Sequence, residues 1–135
     1  MKNLRGAGEH AAPAVRVLVI DDSPSVFLVV KTVLAADGYH IERLGCFVDL
    51  PSKIKDNPPD LVMLDLQIPE LPGVAMGLYI RRHQPRHIPI LIYSGASIAE
   101  LQRAVNEIGA DGAIPKDTPP EALRARVKKA LQSRG

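Results

Sequence analysis

Three short stretches of this chain, residues 15–20, 61–64 and 88–93, are nearly continuous runs of Val, Ile, Leu and other apolar residues. A strand with one wet face alternates apolar and polar residues, whereas a strand covered on both faces reads as an unbroken apolar run. These runs therefore point to a parallel sheet with helices on both sides. Residues 39–44 and 112–114 are weaker candidates and bring the strand count to five. Helical patterns fill the intervals. Ser23 is placed to N-cap the first helix with Pro24 at its first position, where a fixed φ fits and the missing N–H costs nothing, and Gly38 ends it. A short second helix over residues 49–56 admits Pro51 only in its first turn, and Pro58-Pro59 closes it. Gly73 opens a third helix that must stop before Pro85. Ile98, Leu101, Val105 and Ile108 give the fourth its apolar stripe. Thr118-Pro119-Pro120-Glu121 reads as a capping box for the fifth, with Leu123, Val127 and Leu131 on one face.

Strand alternates with helix five times, and crossovers between parallel strands are right-handed. The expected fold is thus an α/β, doubly wound three-layer sandwich, with a five-stranded parallel sheet in the flavodoxin-like order 2-1-3-4-5. A length of 135 residues, 46% of them hydrophobic and 24% charged, suits one domain with its own core. We expect a loose N-terminal tail over residues 1–14, a single domain over residues 15–134, and no attached output domain. A net charge of +2 gives no footprint for nucleic acid. Cys46 is the sole cysteine, which excludes an internal disulfide and a cysteine-based zinc site; a partly buried apolar role is expected for it. No segment has the 18 or so apolar residues of a membrane span, and residues 1–14 lack a secretion signal, so a cytoplasmic protein is expected. His83 and His87 have i, i+4 spacing, but Pro85 between them breaks the helix that would align them, and the histidines read as incidental surface residues.

In such sheets, chemistry collects at the carboxyl ends of the strands. The residues there are Asp21 and Asp22 after the first strand, Asp65 after the third, Ser94 at the fourth and Lys116 after the fifth. Three carboxylates repel one another in a partly dry site, and a hard divalent cation such as Mg²⁺ is the natural remedy, with the Lys116 ammonium completing charge balance. An aspartate can attack phosphorus to form an acyl phosphate where the charge on the transferring group is neutralised. Ser94 could donate to a phosphoryl oxygen, and the backbone carbonyl of Gln67 stands at the right offset to complete a metal shell.

The stretches Val-Leu-Val-Ile-Asp21-Asp22-Ser-Pro, Pro59-Asp60-Leu-Val-Met-Leu-Asp65-Leu-Gln-Ile-Pro69, Tyr93-Ser94-Gly95-Ala96 and Gly109-Ala110-Asp111-Gly112-Ala-Ile-Pro-Lys116 carry a resemblance. Over residues 15–134 the chain resembles the receiver domain of bacterial two-component response regulators. The resemblance implies that Asp65 takes a phosphoryl group from a phosphohistidine on a sensor histidine kinase or a histidine phosphotransfer protein. It further implies Mg²⁺ held by Asp22, Asp65 and the Gln67 carbonyl, with Asp21 acting through water. Ser94 and Lys116 match the family's hydroxyl and lysine. A downstream protein target of unknown identity is implied, as is the option of a homodimer through the fourth helix, fifth strand and fifth helix.

The chain departs from the pattern at Ala113, where the family usually has an aromatic residue that swings inward on phosphorylation; the relay to the fourth and fifth helices is thereby in doubt. Pro72 stands where an aspartate is common and is expected to stiffen the start of the third helix. Asp117 follows Lys116 in place of a frequent proline. Gly95 leaves the phosphoryl site open, with Gln67 the side chain expected to reach across it. Phe27 and Leu28 occupy a first helix that carries only Lys31 and Asp37 as charges, so they form either a docking surface for a phosphodonor helix or buried packing. The competing reading is a pseudo-receiver that works through constant protein contacts. A phosphatase acting on external substrates would place an acidic side chain where Gln67 stands, and neither a Walker loop nor a Gly-x-Gly-x-x-Gly follows the first strand.

Overall fold

A computed structural model of the chain describes residues 14–44, 46–69 and 72–135. The strands are β1 (Arg16–Ile20), β2 (His40–Arg43), β3 (Leu61–Leu64), β4 (Ile90–Ser94) and β5 (Gly112–Pro115). The helices are α1 (Pro24–Leu34), α2 (Leu50–Asp56), α3 (Gly73–His83), α4 (Ile98–Ile108) and α5 (Pro120–Leu131). All four strand pairings are parallel and the order is β2-β1-β3-β4-β5, the doubly wound arrangement expected from the runs. Of the tail expected over residues 1–14, residues 1–13 lie outside the described residues.

Period-two alternation within each strand divides the core in two. Val17, Val19, Met63, Leu91 and Tyr93 face α1 and α5, where they meet Val30, Leu34, Leu123 and Val127. Leu18, Ile20, Val62, Leu64, Ile90 and Ile92 face the opposite layer, against Ile54, Met76, Ile80, Leu101 and Ile108. Every residue of β3 and β4 is buried. Truncating any of these aliphatic side chains to alanine costs about 2–5 kcal/mol, since the cavity adds to the lost transfer energy.

Local chemistry sets the element ends. Pro89 has no N–H, so β4 begins at Ile90 rather than at residue 88, although the Pro89 carbonyl still accepts from the Val62 amide at 2.9 Å. Helix α1 starts at Pro24 with the Ser23 hydroxyl accepting from the Val26 amide; it tightens into a 3-10 turn over Ala35–Asp37 and stops at Gly38, whose φ of 76° favours glycine. The capping box expected at Thr118 is absent. The residue before a proline is driven out of helical conformation, so Pro119 stays extended ahead of Pro120 and becomes an N-cap without a side-chain hydrogen bond. The reciprocal box belongs instead to α4, between Ser97 and Glu100. Cys46, expected to be partly buried, is exposed ahead of the 3-10 turn Phe47–Asp49 that leads into α2.

Candidate functional site

The carboxyl ends of β1, β3, β4 and β5 converge on one rim. Asp21, Asp22 and Asp65 each offer a carboxylate oxygen within 4.8 Å of the others. Asp21 and Asp65 are both 3% exposed, whereas Asp22 is open to solvent. Lys116 Nζ donates to Asp65 Oδ2 at 3.1 Å and ion-pairs with Asp21 Oδ2 at 3.0 Å. The second contact is close but not aligned as a hydrogen bond, so among the described residues Asp21 Oδ2 is a buried acceptor without a hydrogen-bond donor. Burial works against the ammonium charge, yet the Asp21 and Asp65 carboxylates outweigh it and hold the Lys116 pKa above its ordinary value.

Backbone amides fix the second oxygen of each buried aspartate. Ser23 N–H donates to Asp21 Oδ1 at 2.9 Å, and Gln67 N–H to Asp65 Oδ1 at 3.1 Å. Each is an aspartate bonding its own chain two residues on, the local preference that makes Asp a turn former where a strand stops. Both oxygens of Asp65 are therefore held, and its carboxylate has one orientation. The Asp21 turn runs directly into the Ser23 cap, which ties the pocket to the start of α1.

Gly73 supports Asp65 from the outside. A β-carbon there would lie 2.8 Å from Leu66 Cα and closer still to the Asp65 carbonyl oxygen, so only glycine lets α3 begin against the backbone of the pocket. Sequence reasoning read Gly73 as a helix opener and missed this contact, which depends on a neighbour outside its own segment. Pro72 is the α3 N-cap, and its carbonyl accepts from the Ala75 amide at 3.0 Å. Residues 70 and 71 of that loop lie outside the described residues.

Ser94 is fully buried at the end of β4, and its hydroxyl accepts from the Ala96 amide at 3.3 Å. Among the described residues it makes no hydrogen bond to the carboxylates or to the lysine side chain. Its backbone carbonyl does accept from the Lys116 amide at 3.2 Å. Gln67 Oε1 reaches toward Gly95, where it would stand 3.6 Å from an added β-carbon. Ala113 faces the α3–α4 layer as a small half-buried residue. Phe27 and Leu28 separate: Phe27 packs against the α1–α5 core cluster, while Leu28 is 63% exposed. His83 stacks on Tyr79 with ring centroids 4.2 Å apart, and His87 Nε2 lies 2.9 Å from Asp111 Oδ2.

The donor set suits a hard divalent cation. Among the described residues three carboxylates face one ammonium, which leaves two negative charges uncompensated, and one buried oxygen has no hydrogen-bond donor. Mg²⁺ takes oxygen ligands of this kind and retains part of its water shell.

The family model described as the response regulator receiver domain matches residues 17–128. The transcriptional regulatory protein BaeR of Escherichia coli O6:H1 is 33% identical over 118 residues, which cover 87% of this chain and 48% of BaeR. The chain thus spans about half the length of the curated relatives it matches. Among solved structures, a CheY-like response regulator receiver domain protein from Methanospirillum hungatei JF-1 superimposes with a TM-score of 0.79 at 22% identity, covering 89% of this chain and 95% of that one. The receiver domain of sensor histidine kinase PA1611 from Pseudomonas aeruginosa PAO1, solved with a magnesium ion in its active site cleft, gives 0.77 at 16% identity over 90% of this chain and all of that one. At these identities the structural likeness establishes the fold alone.

Proposed function

The chain belongs to the family of response regulator receiver domains of two-component systems, and from that premise we propose that Asp65 is its phosphoacceptor. The observation that carries this reading is the shared ammonium of Lys116, bridging the buried Asp65 and Asp21 inside a three-carboxylate pocket. A carboxylate oxygen of Asp65 attacks the phosphorus of a phosphohistidine on a sensor histidine kinase or phosphotransfer protein. The P–N bond breaks, its electron pair returns to the imidazole, and an acyl phosphate remains on Asp65. Mg²⁺, which Asp22, Asp65 and the Gln67 carbonyl would hold with Asp21 acting through water, would neutralise charge on the phosphoryl oxygens. Lys116 stabilises charge on the same group, and Ser94, once its hydroxyl leaves the Ala96 amide, donates to one phosphoryl oxygen. Holding both oxygens of Asp65 leaves little reorientation to complete before attack.

The reading places the protein in the cytoplasm, where its phosphorylated form binds a downstream protein. Leu28, exposed on the helix that starts at the pocket's Ser23 cap, supplies the apolar contact for the phosphodonor. Incubation with Mg²⁺ and acetyl phosphate, followed by intact-mass measurement, tests the reading. The unsubstituted protein gains one phosphoryl mass and Asp65→Asn gains none. No gain in the unsubstituted protein would favour constant, phosphate-independent protein contacts.

A further inference from the structure

Among the described residues Lys116 is the one cation of the pocket, yet it lies just beyond the end of the sheet. The β4–β5 ladder closes at Ser94 opposite Pro115, a residue with no amide hydrogen to donate. The chain then enters a turn in which the Thr118 amide bonds the Pro115 carbonyl at 3.0 Å. Fixing the lysine's own peptide falls to the last two residues of β4. The Lys116 amide donates to the Ser94 carbonyl at 3.2 Å, and the Tyr93 hydroxyl donates to the Lys116 carbonyl at 3.5 Å. Tyr93 is only 6% exposed, and its ring belongs to the core cluster that holds Val19, Ile114 and Leu123. An aromatic ring held in that way brings its hydroxyl to the carbonyl with little conformational freedom. At 3.5 Å the contact is longer than an ordinary O–H···O hydrogen bond and weak, so it can act only by placing the peptide.

We propose that Tyr93 is a positioning residue for phosphoryl acceptance, fixing the Lys116 peptide so that the ammonium stands between Asp65 and Asp21. This rests on the phosphoacceptor reading above. Among the described residues Tyr93 makes no hydrogen bond to either carboxylate, and its role runs through the lysine. Because Tyr93 directly precedes Ser94, a shift of the Ser94 backbone also reaches the Lys116 loop through both β4 contacts.

Tyr93→Phe keeps the ring and removes only the hydroxyl, so it separates positioning from core packing. Phosphorylation by acetyl phosphate with Mg²⁺ is followed by intact mass, beside thermal unfolding and the NMR shift of the Lys116 carbonyl carbon. Misplacement of the cation slows phosphorylation by roughly three- to tenfold with an unfolding midpoint close to that of the parent, and the Lys116 carbonyl resonance moves. Equal rates and an unmoved Lys116 resonance overturn the positioning role while leaving Asp65 as acceptor. A change in unfolding midpoint without a change in rate overturns it too, by making Tyr93 a packing residue only. No phosphoryl gain in the parent protein overturns the phosphoacceptor reading and Tyr93's role with it.

Discussion

Asp22 is the member of the acidic trio that reaches solvent, and its carboxylate adds repulsion to two aspartates that are already buried. Without a divalent cation, Asp22→Asn should therefore raise the thermal unfolding midpoint, since it removes a like charge and breaks none of the hydrogen bonds that orient Asp21 and Asp65. Mg²⁺ should reverse the comparison. At a hundred times its dissociation constant the ion stabilises the parent by about 2.7 kcal/mol through mass action, and most of that gain is lost in Asp22→Asn. Unfolding curves with and without Mg²⁺ measure both effects. The convergence of Asp21, Asp22, Asp65 and Lys116 was legible in the sequence because each follows an apolar run, and parallel strands bring such ends to one rim. The hold on each residue was less legible. The missing donor at Asp21 Oδ2 and the placement of Tyr93 beside the Lys116 carbonyl depend on distances between segments far apart in the chain.

Elements were legible wherever the signal was local. β3 occupies the four residues of its apolar run, and the Ser23-Pro24 start of α1 lies where cap chemistry puts it. The errors came from competing local rules. Pro120 denies helical conformation to Pro119 and defeats the Thr118 cap, while the Ser97–Glu100 box announces α4. Ser97→Ala should thus destabilise the fold by about 1 kcal/mol, measured by urea unfolding, whereas Thr118→Ala removes no cap. Gly73→Ala drives a methyl group into the Asp65 backbone; it should cost about 1–3 kcal/mol and slow phosphorylation, because the strain falls on the acceptor itself. On α1, Leu28→Lys should weaken phosphotransfer from a histidine phosphotransfer protein and leave phosphorylation by acetyl phosphate unchanged. Phe27 is the poorer probe, because its ring is part of the core packing.

Across the molecule, the pole opposite the pocket is tied together by Asp111. Its carboxylate accepts from Arg81 at 2.6 Å and from the Ile90 amide at 2.8 Å, and it lies 2.9 Å from His87 Nε2, joining α3, the α3–β4 loop and β4. Burial opposes the charge, but the Ile90 amide, His87 and Arg81 outweigh it and lower the Asp111 pKa. A carboxylate whose pKa is lower in the folded state contributes stability above its unfolded value of about 3.9, and loses it as pH falls through the folded value. Asp111→Asn should accordingly cost about 1–2 kcal/mol at pH 7, toward the lower end because water reaches part of the cluster. That difference from the parent should shrink below about pH 4, as urea unfolding at several pH values will show. The sequence carried Asp111 only within a motif, and His87 only as an incidental surface residue; their pairing is a property of the folded sheet. Ala113 was legible as a departure from the family pattern, and the nearest ring on the neighbouring strand, Tyr93, packs in the opposite core layer. Phosphoryl acceptance at the other pole can be located chemically. Borohydride reduction of the protein after Mg²⁺ and acetyl phosphate converts an aspartyl phosphate to homoserine, which peptide mass spectrometry assigns to a position. Homoserine at position 65 is the expected result; an unmodified Asp65, or conversion at Asp21 or Asp22 instead, would contradict it.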